Sequence, residues 1–137
     1  MMAIKVGAGR RGQPVGMAEL PLLEPSRAAR ISLSAETQYA ANGIVSRTVL
    51  RTPGVRVVLF GFEVGQELSE HTAPYQALVQ VLEGECEFRV SGEPYALKAG
   101  DLLSMPPHAP HSLRAITRFA MLLTLVPPGL GGLPAAK

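Results

Sequence analysis

Tryptophan is absent from the 137-residue chain, and aromatic residues make up only 5% of it. No stacking platform for bases stands out. Cysteine occurs once, at Cys86. An intrachain disulfide is therefore excluded, and a reducing compartment fits. An excess of either charge is also missing: 13 Lys and Arg face 11 Asp and Glu, for a net charge of +2. That balance argues against a phosphate backbone or an anionic membrane surface as partner. No apolar run approaches the ~18 residues of a membrane helix. The opening stretch MMAIKVGAGRRGQPVG lacks the apolar centre of a secretory signal. The expectation is a soluble cytoplasmic protein without nucleic-acid or membrane partners.

Helical periodicity is scarce as well. The best candidate, PSRAARISLSAE at 25–36, is short and rich in Ser. What the chain does have is 47% apolar residues, enough for one core, arranged in short runs between turn signals. The runs at 43–50, 55–64, 77–83, 85–90, 95–106 and 119–126 read as strands, and Thr52-Pro53-Gly54, Gly84 and Ser91-Gly92-Glu93-Pro94 read as turns. In ECEFRV, Cys86, Phe88 and Val90 share one face while Glu85, Glu87 and Arg89 share the other. In ALVQVLE both faces are largely apolar, with Ala77, Val79 and Val81 on one and Leu78 and Leu82 on the other. Such a strand needs cover outside the sheet, from a second copy or from the N-terminal segment. The chain thus divides into a Gly- and Pro-rich irregular segment at 1–30, an all-β barrel or sandwich at 31–126 and a flexible tail at 127–137.

Two motifs compete for a functional role. GAGRRG at 7–12 matches G-x-G-x-x-G by letter. A dinucleotide site needs a helix after the glycines and a carboxylate ~20 residues on. Pro14, Gly16 and Pro21 break the one and no residue supplies the other, so these are glycines of an irregular leader.

The stretch from Gly65 to Ala115 carries a longer pattern. Gly65, His71, Ala73, Ala77 and Gly84 fall at the spacing of one motif; Gly100, Pro106, His108, His111 and Ala115 fall at that of a second. In this it resembles the cupin family, in particular its small single-domain members of the cupin 2 conserved-barrel, RmlC-like type. The resemblance covers roughly 43–126. It implies a double-stranded β-helix (jelly-roll) barrel of two antiparallel sheets, often a homodimer. In a complete cupin three His and one Glu bind a divalent metal. Here His71 and His111 match the first and last histidines, while Ala73 stands at the second histidine and Ala77 at the glutamate. Two imidazoles without an anionic ligand make a weak site for Ni, Mn, Fe or Zn, since a 2-His-1-carboxylate triad needs a third donor.

The surrounding residues add a pocket. Tyr75, Gln76, Val79, Met105, His108 and Met121 are its expected walls and rim, apolar apart from the imidazoles. His108 occupies a motif position that is glycine in the family. Glu67 and Glu70 precede His71 in what reads as a solvated loop, and Asp101 reads as the cap of the Gly100 turn. Cys86 reads as a small buried apolar residue rather than a thiolate. The function expected is small-molecule binding in the barrel, with or without a weakly held divalent metal, and no enzymatic activity is assignable. A metal-dependent dioxygenase or isomerase acting on a small acid or sugar, and a structural or regulatory dimer with a vestigial site, are the alternatives.

Overall fold

The computed structural model describes residues 20–129. The GAGRRG leader, most of the 1–30 segment and the last part of the 127–137 tail lie outside them. Within them the chain forms a short helix, α1 (Leu33–Glu36), and nine strands: β1 (Ile44–Thr52), β2 (Val55–Phe62), β3 (Glu67–His71), β4 (Gln76–Glu83), β5 (Glu85–Val90), β6 (Glu93–Lys98), β7 (Leu102–Met105), β8 (His111–Ala115) and β9 (Phe119–Val126). The strands pair antiparallel in two sheets, ordered β1-β2-β9-β4-β7 and β3-β8-β5-β6. This is the all-β architecture expected from the alternation, in the jelly-roll form that the resemblance implies.

The inward faces make the core. Phe60 and Phe62 of β2, Val79 of β4, Phe88 of β5 and Phe119 and Met121 of β9 are at most 1% exposed. Phe62 packs on Phe119 with ring centroids 5.3 Å apart. Cys86 belongs to the same core, and burial pushes its thiol up to about 12. It is a neutral apolar side chain at any physiological pH.

Turn chemistry sets where the chain changes sheets. Ser91 and Gly92 both have positive φ and join β5 to β6 as a two-residue hairpin loop, so Glu93 and Pro94 belong to the strand instead of the turn. The run at 95–106 is two strands in different sheets, parted at Gly100, where the Asp101 carboxylate accepts the Lys98 N–H at 2.9 Å. Gly84 carries the chain from β4 in one sheet to β5 in the other with φ +80°.

Residues 31–43, which the sequence places with the barrel, form a strap across the outer face of the larger sheet. Leu22 and Leu23 donate N–H bonds to the Thr48 and Val49 carbonyls along β1. Ser32 caps α1 by accepting from the Ala35 N–H, and Arg47 of β1 holds Glu36 through its backbone and carboxylate oxygens, both at 2.8 Å. The strap then crosses β2 so closely that a Cβ on Gly61 would lie 2.1 Å from the Gln38 carbonyl oxygen. It ends at Tyr39, whose hydroxyl donates to Glu83 and whose ring lies under Arg118. Arg118 in turn pairs with Glu63 at 2.8 Å. Beneath the strap Leu59, Val45 and Ala120 are buried on the outer side of the sheet.

Candidate functional site

The two motifs become neighbours because β3 and β8 pair. Gly65 donates its N–H to the Ala115 carbonyl at 2.9 Å, which joins the first position of one motif to the last of the other. Along the pair, Glu67 lies opposite Arg114, Leu68 opposite Leu113 and His71 opposite His111. A bulge between Leu68 and His71 shifts the register and sets the two histidines side by side. Glu67 and Glu70, expected in a loop, are therefore strand residues. Of the five residues of β3 only Leu68 is a strong apolar residue, so its sequence does not read as a strand.

The imidazoles of His71 and His111 meet edge to face with centroids 4.2 Å apart. His111 is buried, at 7% exposure, and His71 is half-buried at the barrel mouth. Each ring is fixed in the same way. His71 Nδ1 lies 2.8 Å from the Ser69 carbonyl oxygen, and His111 Nδ1 lies 2.9 Å from that of Ala109. A carbonyl only accepts, so both Nδ1 atoms carry the proton. The lone pair of each neutral ring is then on Nε2. Both Nε2 atoms are buried and have no hydrogen-bond partner among the described residues. Leaving a buried acceptor unpaired costs about 1–3 kcal/mol, and two such atoms on neighbouring rings call for a functional account.

The space beside them is small. Leu68, Phe88, Met105, Leu113, Met121 and Leu123 wall a cavity of about 10 Å³ next to the two rings. That is room for about one water-sized group, far below the ~300 Å³ of a drug-sized site. Met105 and Met121 are among its walls. Val79 is a fully buried core residue that does not line the cavity, and Tyr75 packs on the core from its half-buried position. Gln76 points the other way: its amide donates to Ser104 Oγ at 3.1 Å and the Met105 carbonyl at 3.0 Å, tying β4 to β7. His108 is exposed, away from the cavity. Its role is backbone geometry. With φ +70° it adopts a conformation that favours glycine, and its N–H binds the Ala73 carbonyl at 2.8 Å. Gly65, Gly84 and Gly100 share the sign of φ, so all four glycine places of the two motifs are places where the chain turns left-handed.

The donor set can be judged from these atoms. Two Nε2 lone pairs, each backed by an Nδ1–H to carbonyl bond, have the form of metal-ligating imidazoles with their supporting contacts. Ala73 and Ala77, which stand at the family's other two ligand positions in the motif, are buried at 9% and 5% exposure and carry no donor. Among the described residues no group of three His, Cys, Asp or Glu could hold a metal. The residues fit half of a metal's shell and no more.

Burial holds the His111 imidazole below its ordinary value near 6.5; its bond to Ala109 opposes this and the neighbouring His71 adds to it. The unfolded chain therefore takes up the proton first. The stability linked to His111 is fully present above about pH 6.5 and is lost as pH falls towards the folded value, with a slope of at most ~1.4 kcal/mol per pH unit. Denaturant melts between pH 7.5 and 5 should show this slope in the wild type and a shallower one in His111→Asn. Equal slopes would contradict the assignment.

A family model described as a cupin domain matches residues 58–127. Among solved structures, a conserved protein of unknown function from Streptococcus pyogenes is 30% identical, with a TM-score of 0.70 over 81% of this chain and 97% of that one. A cupin 2 conserved barrel domain protein from Leptotrichia buccalis is 36% identical, with a TM-score of 0.64 over 68% of this chain and 45% of that one. An RmlC-like cupin from Desulfovibrio desulfuricans is 29% identical, with a TM-score of 0.67 over 74% and 98%. Comparison with curated proteins gives no match.

Proposed function

The chain belongs to the cupin family, and from that premise we propose that it is a binding protein whose recognition point is the His71/His111 pair. The pair holds one divalent transition metal weakly. A metal held there would leave room for water or an oxygen donor of a small-molecule ligand at the barrel mouth. The observation that carries this reading is the pair of buried Nε2 atoms without partners.

The division of labour follows from the geometry. Ser69 and Ala109 carbonyls fix both rings so that the lone pairs are presented without reorganisation. The apolar walls exclude bulk water, which strengthens any contact made at Nε2. The half-buried His71 keeps one side open to the mouth. A bound metal would supply a Lewis-acid point for an oxygen of the ligand. Among the described residues no carboxylate is bonded to either ring, so neither imidazole is set up as a general base by one, and binding is favoured over turnover. Membership of the family supports a homodimer as well, with one such site per chain.

Titration calorimetry with Zn²⁺, Ni²⁺, Mn²⁺ and Fe²⁺ tests the proposal. At least one metal should bind saturably at one per chain, and the His71→Ala/His111→Ala variant should lose that binding while keeping its fold by circular dichroism. Failure of all four metals to bind the wild type, or unchanged binding in the variant, would overturn it.

A further inference from the structure

The cavity beside the histidine pair has two further donor-bearing walls that the family's motif does not include. Met105 of β7 and Met121 of β9 line it together with His71 and His111. Both methionines are buried, at 2% and 1% exposure. Met105 lies opposite Ala77, the position where the family's pattern has glutamate. A thioether side chain therefore neighbours the place that lacks its carboxylate. Methionine is unbranched, flexible and polarisable, so its sulfur adapts to what enters the space beside it. Four strands thus each send one donor-bearing side chain to a cavity of about 10 Å³.

This set differs from that of a complete cupin in charge and in softness. No residue lining the cavity is an acid, and Cys86, the chain's one thiol, is not among them. The two imidazoles and two thioethers are all neutral donors. Holding an ion in apolar surroundings costs free energy in proportion to the square of its charge, so a monovalent ion costs about a quarter of what a divalent ion of the same size costs. With no anion in the cavity wall, a divalent ion keeps its full charge there. Softness favours the same choice: thioethers select Cu(I), and imidazole suits copper as well.

We infer that the cavity is a copper(I) site with His71, His111, Met105 and Met121 as its ligands, and that it prefers Cu(I) to any divalent ion. The inference rests on the reading of the histidine pair as a metal-binding point and names the ion that the whole cavity favours. Nothing is oxidised or reduced on binding, since the ion enters as Cu(I) and is held as Cu(I).

Anaerobic titration with Cu(I) in competition with the chromophoric chelator bicinchoninate, and X-ray absorption at the copper edge of the loaded protein, test this. The wild type should take up one Cu(I) per chain, more tightly than it takes up Zn²⁺, and the copper should have both nitrogen and sulfur neighbours. Cys86→Ala should keep the sulfur neighbours. Met105→Leu/Met121→Leu conserves apolar volume and should keep the wild-type circular dichroism and Zn²⁺ binding. It should lose the sulfur neighbours and bind Cu(I) at least ~10-fold more weakly, since even the groups behind a metal's ligands are worth about 10–100-fold in affinity. His71→Ala/His111→Ala should lose Cu(I) binding. Copper with nitrogen or oxygen neighbours alone, sulfur that disappears in Cys86→Ala, or Cu(I) affinity unchanged in either double variant would overturn the copper site. Zn²⁺ bound at the histidine pair as tightly as Cu(I) would overturn the preference and leave the pair standing as a metal-binding point. A wild type that binds neither Cu(I) nor any divalent metal would overturn both.

Discussion

Gly84→Ala is expected to cost about 2–5 kcal/mol of folding stability. Two independent penalties meet at this residue. Its φ of +80° is left-handed, which costs a side-chain-bearing residue roughly 1–2 kcal/mol. A Cβ there would also lie 2.0 Å from the Arg118 carbonyl oxygen, and forcing atoms into packed space adds about 1–3 kcal/mol. Neither side can yield freely. Arg118 sits in the turn between β8 and β9, where Thr117 Oγ1 accepts the Glu85 N–H, and its side chain bridges Glu63 and Tyr39. Gly92 is the control. Its φ is +83°, yet nothing lies within 4 Å of a Cβ built there, so Gly92→Ala should show the conformational cost alone. Urea melts of both variants give the difference, which measures the close approach at Gly84. Equal losses would mean that the turn at Arg118 moves aside.

The second large effect concerns the alanine that stands where the family's pattern has glutamate. Ala77→Glu is expected to destabilise the metal-free protein by about 3–5 kcal/mol, the range for a buried charge without a partner. Ala77 is 5% exposed and pairs with Met105, a wall of the cavity. The introduced carboxylate would be the third donor beside two imidazoles, which makes a 2-His-1-carboxylate set. Zn²⁺ should then recover part of the loss, since a ligand at 100 times its Kd stabilises by about 2.7 kcal/mol. Melting temperatures with and without Zn²⁺ should therefore separate further in Ala77→Glu than in the wild type. A smaller separation in the variant would show that Ala77 does not face the histidine pair.

The legible parts of the fold and site were those written as pattern. Alternation in ECEFRV and the apolar run FAMLLTLV read directly as β5 and β9, and the motif spacing read as a cupin barrel. The spacing has a physical basis: its glycine places are the left-handed turns, and its histidines fall opposite each other on β3 and β8. The strand β3 itself was hidden, because ELSEH has one strong apolar residue and owes its pairing to β8. Gln76 and His108, included among the expected pocket residues, stand outside the cavity, and for Gln76 that is the side to which strand alternation turns it. Gln76 turns to β7 and His108 to solvent, whereas Leu68, Phe88 and Leu113, from strands not suspected of lining the site, close the cavity. The size of that cavity depends on how core side chains interdigitate, which no one-dimensional pattern records. The apolar outer face of β4 is expected to be covered, but among the described residues the strap lies over β2 instead and Leu78 is 38% exposed.

The central claim is that His71 and His111 present two unpaired Nε2 lone pairs that take up one metal between them. ¹⁵N-resolved NMR of the imidazole side chains, recorded above pH 7.5 during a Zn²⁺ titration, reads those atoms directly. Both rings should start as the tautomer protonated on Nδ1, and both Nε2 resonances should move together and stop moving at one Zn²⁺ per chain. A ring protonated on Nε2 at the outset, or a titration that shifts only His108, would contradict the account.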